Sequence, residues 1–187
     1  WTMVLLLCSI SIVRELHAGQ PAVVVSATPT VEGSSTFALG TDGRLYGWGA
    51  DTYGQLGVGR LVSSPTFLLT GSGYKSVSVG ESYVAAIKTD NSLWTWGQNS
   101  YGQLGDGSRS GRSMPVKIGV DYSSVVAGYP FTLGLKTDGT LWIWGQGVYG
   151  DGSSIGTSDR PQLIGSGYSA VATGGWHVLA LKADGTL

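Results

Sequence analysis

Apolar and polar residues alternate in short runs along most of this chain. In residues 131–136 apolar side chains alternate with polar or small ones, and residues 177–182 repeat the arrangement. A period of two predicts β-strands, because successive side chains of a strand point to opposite faces. After each run comes Asp-Gly or Asp-Asn, which favours a tight primed hairpin turn with positive φ, and then a strand rich in tryptophan. The pattern therefore predicts a series of β-hairpins.

Two further strands flank each predicted hairpin. One precedes it, at residues 76–79, 123–126 and 169–172. The other begins at a proline, at residues 65–68, 115–118 and 161–164. Proline is tolerated at the start of an edge strand, where no ladder donor is lost. Four short antiparallel strands in each unit are typical of a propeller blade.

The same unit recurs along the chain. Residues 41–49, TDGRLYGWG, return as 89–97 and 137–145, a period of about 48 residues. A fourth copy starts at Ala183 and stops at Leu187, one residue before its next tryptophan is due. Such a period indicates units that bury their faces against one another, and it is too long for a leucine-rich repeat of about 20 to 29 residues. Because the fourth copy is incomplete, we expect the chain to be a fragment.

The fold prediction is therefore an all-β chain, a β-propeller of repeated four-stranded antiparallel blades with about three and a half blades present. Residues 21–187 are predicted to form this partial propeller. We place its repeat units at residues 41–88, 89–136 and 137–182, with a truncated unit from residue 183.

Residues 1–20 differ from the rest of the chain. Their apolar run, residues 4–13, is too short to cross a bilayer core of about 30 Å as a helix. It fits the apolar region of a secretory signal peptide, although no positive residue precedes it; a strand or helix continuing from an upstream domain fits as well. We expect no membrane span, and favour a secreted or cell-surface location over a cytoplasmic one.

Composition narrows the choice of partners and cofactors. Charged residues make up 12% of the chain, against the usual ~25%. Because the net charge is −1, the chain has no positive electrostatic field that would attract nucleic acid. The 31 glycines and 7 tryptophans indicate tight turns between packed strands. A single cysteine, Cys8, excludes an intrachain disulfide and a multi-cysteine zinc site. We predict no metal, no cofactor and no direct nucleic-acid partner.

Two segments resemble a known repeat. Residues 96–107, WGQNSYGQLGDG, and residues 174–181, GGWHVLAL, are similar to the repeat of the regulator of chromosome condensation family. The resemblance covers about residues 25–187 and implies a β-propeller; since the family's rings typically close with seven blades, roughly half the ring is present. The family's histidine is replaced by Ser35, Tyr83 and Phe131 in the other units, and residues 149–152 shorten the Gly-Gln-Leu-Gly segment. These departures indicate a divergent member of the family, not a different fold, and the resemblance is to a bacterial-type member.

The repeated residues are interpreted as structural. They are the Trp-Gly pairs Trp48-Gly49, Trp96-Gly97 and Trp144-Gly145. We expect each tryptophan to seal two blades and each glycine to let the chain turn beside it, because a ligand site rarely needs the same residue in every blade. By the resemblance, His177 occupies a packing position. The repeated aspartates, one in each unit, are expected to be turn residues too far apart for acid–base catalysis.

Two motifs of enzymes occur without their structural context. Residues 145–150 match G-x-G-x-x-G and residues 152–156 match G-x-S-x-G, yet the sequence predicts no helix after either. A catalytic pair of Ser154 and His177 is correspondingly disfavoured. We predict no catalytic residue and no enzymatic activity.

The favoured function is a protein–protein interaction module, a non-catalytic propeller scaffold. Equivalent loop positions differ in chemistry from blade to blade, as expected of a surface that contacts a partner, although drift in solvent loops produces the same variation. The candidate partner-binding residues in these loops are Glu81-Ser82, Tyr129-Pro130 and Gly175-Trp176. A second variable loop supplies Arg60, Arg109, Arg112 and Arg160, as a rim contact or as solubilising charge.

Other functions stay open. The resemblance implies a nucleotide-exchange factor for a small GTPase, as in the family's founding member, but no basic tail supports that role here. A secreted inhibitor of hydrolases, or a hydrolase on a propeller scaffold, is a further alternative. In every case the expected partners are a protein of unknown identity and the missing blades of the same chain.

Overall fold

The described residues form strands and no helix. The computed structural model describes residues 22–28, 35–148, 154–174 and 177–187, which contain fourteen β-strands in four antiparallel sheets. The first sheet holds β1 (Ala22–Thr28), β2 (Ser35–Gly40), β3 (Leu45–Gly49) and β4 (Ser64–Gly71). The second holds β5 (Tyr74–Val79), β6 (Tyr83–Lys88), β7 (Leu93–Gly97) and β8 (Arg112–Gly119). The third holds β9 (Tyr122–Ala127), β10 (Phe131–Lys136), β11 (Leu141–Val148) and β12 (Ser154–Gly165), and the last pairs β13 (Tyr168–Thr173) with β14 (Val178–Lys182).

Each sheet is a propeller blade. Within a sheet the strands are hydrogen-bonded in chain order, so that the blade is a simple antiparallel meander. The predicted all-β fold, with four-stranded blades and about three and a half of them, is confirmed. We number the blades 1 to 4 along the chain.

Consecutive blades contact each other mainly through their first two strands. β5 packs against β1, β2 and β9, and β9 packs in turn against β13. The apolar clusters lie at these seams, for example where Phe37 and Leu45 of blade 1 meet Val84 and Trp96 of blade 2. The first strands therefore lie innermost, and the fourth strands β4, β8 and β12 form the outer edges of the blades.

The sequence units and the blades are out of phase. The repeated segment of each unit, Thr-Asp-Gly or Thr-Asp-Asn, is the turn between the second and third strands, at residues 41–44, 89–92 and 137–140. One blade passes to the next at residues 72–73, 120–121 and 166–167. Each unit of sequence therefore joins the outer half of one blade to the inner half of the next, which links neighbouring blades through the chain itself.

The hairpin turn differs from the expected primed type. The N–H of Gly43 donates to the carbonyl of Gly40 at 2.9 Å, and Gly43 has a φ of 77°, whereas Asp42 does not have a positive φ. This is a type I turn followed by one left-handed residue, a common three-residue arrangement. The prediction of a primed turn was wrong, because the Asp42 carboxylate accepts the N–H of Arg44 at 3.0 Å and only the residue after it takes the left-handed conformation.

The fourth strands also begin earlier than expected. β8 starts at Arg112, ahead of Pro115, and β12 starts at Ser154, ahead of Pro161, so proline does not open these strands. In blade 2 the pairing breaks between Thr95↔Val116 and Gly97↔Arg112. Proline thus lies in an irregular stretch of an outer strand, where its missing N–H removes no ladder bond.

Blade 3 replaces a long loop by a longer hairpin. Its third strand continues past Gly145, with Gln146 paired to Thr157 and Gly147 to Gly156. The altered residues 149–152 lie outside the described residues. The described part of the G-x-G-x-x-G match, Gly145–Val148, is strand, and the next described element is the strand β12 and not a helix whose N-terminus could hold a phosphate.

Candidate partner-binding face

The long loops and the first turns of the blades open on the same side of the propeller. In a four-stranded meander the connection between strands one and two and the connection between strands three and four lie at the same edge, while the other connections lie at the opposite edge. We define the loop face by residues 50–63, 80–82, 98–111 and 128–130, and the turn face by residues 41–44, 89–92 and 137–140. The described candidates Glu81, Ser82, Tyr129 and Pro130 therefore share one face with Arg60 and Arg109.

One buried side chain organises each long loop. In blade 1 the Asp51 carboxylate, 1% exposed, accepts the N–H of Leu56 at 2.8 Å and that of Val62 at 3.2 Å. In blade 2 the equivalent residue is Asn99, whose oxygen accepts the N–H of Leu104 at 2.9 Å. Its amide nitrogen donates to the carbonyls of residues 108 and 110. Both loops are thus held from within rather than left to fluctuate.

The buried position of the Asp51 carboxyl group disfavours its charged form. Burial raises the pKa of Asp51, and the hydrogen bonds from Leu56 and Val62 together with the nearby charge of Arg60 offset only part of that effect. Asn99 performs the same role without a charge. The Asp51 site is therefore sensitive to pH, whereas the Asn99 site is not.

Each long loop also receives a tryptophan from the following blade. The indole N–H of Trp96 donates to the Gln55 carbonyl at 2.7 Å, and that of Trp144 donates to the Gln103 carbonyl at 2.8 Å. Both rings are fully buried. A Cβ at Gly57 would lie 2.7 Å from the Trp96 nitrogen, so the close approach requires glycine. Trp48, with no described blade before it, is half-buried and meets Phe67 edge-on at 4.6 Å.

The long loops reach across the seam to the outer strand of the next blade. The N–H of Gly59 donates to the carbonyl of Ser113 at 2.7 Å, and the N–H of Gly107 donates to that of Asp159 at 2.9 Å. Each loop is consequently fixed at both ends of the seam, by a tryptophan on the inside and by a main-chain hydrogen bond on the outside.

Tyr83 joins blades 2 and 3 below this face. Its hydroxyl donates to the carbonyl of Phe131 at 2.6 Å and lies 2.9 Å from the hydroxyl of Thr132, which donates to the Gln103 carbonyl at 2.7 Å. Burial raises the pKa of Tyr83 well above its ordinary value. The phenol is therefore a neutral structural donor.

The candidate turns contribute two accessible side chains. Ser82 and Pro130 are buried, and their carbonyls accept the N–H groups of residues 98 and 146. Glu81 and Tyr129 are half-buried, and the Tyr129 ring lies 6.4 Å from the ring of Tyr101, edge-on. The Tyr129–Pro130 peptide is cis. Trp176 and its neighbour Gly175 lie outside the described residues.

The four candidate arginines, in the long loops and the fourth strands beside them, differ in their surroundings. Arg112 pairs with Asp106 through two nitrogens, each 2.7 Å from the carboxylate. Burial raises the pKa of Asp106, but hydrogen bonds from Ser108 and Arg112 outweigh that effect and hold it below its ordinary value. Arg60, Arg109 and Arg160 are exposed. The structure therefore makes Arg112 a brace of its own loop, whereas the other three side chains are exposed and Arg109 makes only a long hydrogen bond, 3.5 Å, to the carbonyl of Thr157.

His177 is exposed, although it takes the place of two buried rings. Its ring lies against Gly174 just as the rings of Tyr83 and Phe131 lie against Gly80 and Gly128. The neighbouring blades bury Tyr83 and Phe131, whereas β14 has no third strand beside it among the described residues. The Gly-x-x-His spacing of the sequence thus corresponds to a ring packed on a glycine.

Sequence reasoning missed a lysine held between two aromatic rings on the turn face. The ammonium of Lys88 lies 5.1 Å from the Tyr74 ring centre and 4.6 Å from that of Trp94. Lys136 repeats this with Tyr122 at 5.4 Å and Trp142 at 5.2 Å. The recurrence of all three residue types at the period of the repeat was the available indication. These contacts explain why a repeated lysine on this face is a packing residue.

The described residues offer no metal site and no membrane helix. Among them, no three His, Cys, Asp or Glu side chains cluster as metal ligands would. A search of the same residues for a helix long and apolar enough to cross a membrane also finds none. A depression of about 660 Å³ lies on the turn face beside Leu39, Tyr74 and Lys75, away from the candidate residues.

The blades and their seams define a repeat β-propeller, and the family follows from the sequence. Two models of the regulator of chromosome condensation (RCC1) repeat match the chain, one at residues 42–87 and 90–135, the other at residues 74–103 and 122–151. Together they cover residues 42–151 without a gap. The chain belongs to the regulator of chromosome condensation repeat family, and the resemblance seen in the sequence is confirmed.

Solved structures share the fold. Human WBSCR16 superposes with a TM-score of 0.70 at 20% identity, over 88% of this chain and 46% of that one. Yeast RCC1 (Prp20), in its complex with Kap60, gives 0.67 at 22% identity over 87% and 42% of the two chains. Prp20p from Saccharomyces cerevisiae, described with its binding to Gsp1p and histones, gives 0.63 at 21% over 84% and 43%. This chain thus spans less than half of each, and no curated protein matches it significantly in sequence.

Proposed function

We propose that this chain is a non-catalytic interaction module that binds a protein partner with its loop face. The observation that carries the proposal is the sharing of one face by residues of differing chemistry, on loops fixed by repeated internal hydrogen bonds. Rigid loops lose little conformational entropy on binding, which favours their use in recognition. Glu81, Tyr129, Arg60 and Arg109 supply an acid, an aromatic ring and two cations to that face.

The fold family adds support for protein binding in general. Yeast RCC1 is described in complex with Kap60, and Prp20p is described as binding Gsp1p and histones. At 20–22% identity these neighbours carry over the scaffold and not the partner. Nucleotide exchange on a GTPase remains the alternative function, and it has a direct test.

The experiment compares substitutions on the loop face with one away from it. The whole chain is immobilised, bound proteins are identified by mass spectrometry, and the leading one is purified and titrated by calorimetry. We expect Tyr129→Ala to weaken binding by about fivefold or more, as for an aromatic interface residue. Lys117→Glu, on the outer strand β8 away from the loop face, serves as the control and should leave affinity unchanged. Binding that withstands Tyr129→Ala, Glu81→Lys and Arg109→Glu alike would place the partner elsewhere.

The exchange alternative is tested with purified Gsp1p loaded with a fluorescent nucleotide. An interaction module without exchange activity leaves the release rate unchanged when the chain is added. Acceleration of release would replace the present proposal by the exchange function.

A further inference from the structure

The outer parts of the two described loop-face seams are built alike but carry different side chains. At the seam of blades 1 and 2, the long loop and β8 present Leu61, Val62 and Met114. The main-chain bonds of Gly59 to Ser113 and of Gly107 to Asp159 place the two seams in register. In that register Leu61 corresponds to Arg109, and Met114 corresponds to Arg160. Two structural positions are therefore apolar at the first seam and cationic at the second.

The first seam forms an exposed apolar patch. Leu61, Val62 and Met114 are 63%, 55% and 62% exposed, and a Cβ at Gly59 would touch the Met114 side chain at 3.4 Å. Leu61 also borders an open depression of about 310 Å³ with Tyr53 and Ser113. None of these three side chains belongs to the buried cluster between blades 1 and 2, so packing in the core does not account for their being apolar. Grouped exposed apolar residues of this kind are characteristic of interaction sites.

The second seam is cationic. Arg109 and Arg160 are exposed. Arg109 donates one long hydrogen bond, 3.5 Å, to the carbonyl of Thr157, and the guanidinium of Arg160 lies beside Gly107 of the loop that carries Arg109. The ion pairs within the described residues join Arg44 to Asp42 and Arg112 to Asp106, so neither arginine is in one. Among the described residues of this seam, Asp106 is paired with Arg112, and the other acidic residue, Asp159, is half-buried against Gly102. Two guanidinium groups therefore face solvent with one partly covered carboxylate near them.

We infer that the two seams together bind a protein segment in which apolar residues are followed by acidic ones. The apolar side chains would cover Leu61 and Met114, and the carboxylates would meet Arg109 and Arg160 one blade away. The charge of the second seam selects the acidic segment over a basic one, and guanidinium groups suit carboxylates because they donate in pairs. Methionine and arginine are both enriched at protein interfaces. This inference rests on the proposed function and names the chemistry of its partner.

The test uses fluorescence anisotropy with the whole chain and three labelled peptides. The first has a leucine–phenylalanine pair followed by a run of glutamates; the second replaces the glutamates by lysines, and the third replaces the apolar pair by serines. We expect the first peptide to bind most tightly, and added salt to weaken it. A peptide with lysines that binds equally well, or no binding of the first peptide, overturns the inference.

Variants locate the site. Leu61→Ser and Met114→Ser test the apolar seam, and Arg109→Glu and Arg160→Glu test the cationic one; each should weaken the first peptide by about fivefold or more. Val120→Ser and Arg44→Glu are matched controls, an exposed apolar residue and an exposed arginine away from the loop face, and should bind as the native chain does. All six positions are exposed or loosely held, so folding is expected to persist and is checked by circular dichroism.

The outcomes separate this inference from the proposed function. If the captured partner requires Tyr129 but not Leu61 or Arg109, the loop face binds protein while the two-seam site is wrong. If peptide affinity is the same in all variants, the two-seam site is wrong whatever the partner requires. Loss of peptide binding in both sets of seam variants, with the controls unchanged, supports it.

Discussion

The indole N–H of Trp96 donates a 2.7 Å hydrogen bond to the main-chain carbonyl of Gln55, in the loop of the preceding blade. Trp144 makes the same bond to Gln103 at 2.8 Å. Each bond joins residues 41 positions apart and satisfies two buried polar groups at once. The tryptophan thereby fixes both the packing of adjacent blades and the loop that shapes the proposed binding face.

Trp96→Ala should destabilise the chain by about 3–5 kcal/mol, because it removes a fully buried ring and leaves the Gln55 carbonyl without its donor. Trp48→Ala is the matched control. Its ring is half-buried, so we expect roughly half that loss in the free energy of unfolding. Urea unfolding followed by circular dichroism measures both. If the two variants lost the same free energy of unfolding, the contact of Trp96 with the preceding blade would add nothing to what a half-buried tryptophan contributes.

Gly57→Ala should be far more damaging than Gly73→Ala. Both glycines have left-handed φ values, 72° and 78°, so both substitutions strain the backbone by about 1 kcal/mol. A Cβ at Gly57 would also clash with Trp96, whereas at Gly73 nothing lies within 4 Å. We therefore expect Gly57→Ala to cost about 1–3 kcal/mol more. Similar unfolding midpoints for the two variants would show that the loop does not close on the indole.

Asp51→Asn should change how stability depends on pH. Burial raises the pKa of Asp51 in the folded chain above 3.8, so the folded state binds more protons there and the native residue loses stability as pH rises through and above 3.8. Asparagine, which performs the same role at Asn99, carries no such dependence. The stability of the variant relative to the native chain should therefore increase with pH in that range, as measured by urea unfolding at several pH values. A constant difference would contradict it.

Arg112→Ala should destabilise the chain by about 1–2 kcal/mol at neutral pH, a modest figure because the guanidinium is partly exposed. The pKa of Asp106 is lowered in the folded chain, so its contribution is present above 3.8 and is lost as pH falls through the folded-state pKa. The difference from the native chain should shrink accordingly in acid. Arg109→Ala, which changes an exposed arginine nearby, is the control and should leave thermal stability unchanged. If Arg109→Ala lowered stability as much as Arg112→Ala does, the ion pair of Arg112 with Asp106 would have no special role in holding the loop.

The sequence was sufficient to predict the strands, the blades and the family, because alternation and repetition are local or periodic. It did not show that Gly59 bonds to Ser113 or Trp96 to Gln55, since these contacts join distant parts of different units. The turn type was missed because Asp-Gly fits both a primed turn and a type I turn with a left-handed end. Of the candidate residues, the sequence identified the four arginines Arg60, Arg109, Arg112 and Arg160 as a group but did not distinguish the ion-paired Arg112 from the other three.

The most direct test of the seam is hydrogen exchange at the indole nitrogens, followed by NMR on the whole chain. The N–H groups of Trp96 and Trp144 are buried and hydrogen-bonded to the preceding blade, so their exchange should be slow and limited by unfolding. Trp48 is half-buried and should exchange much faster. Exchange of Trp96 and Trp144 at the rate of Trp48 would show that the blades are not locked through these loops.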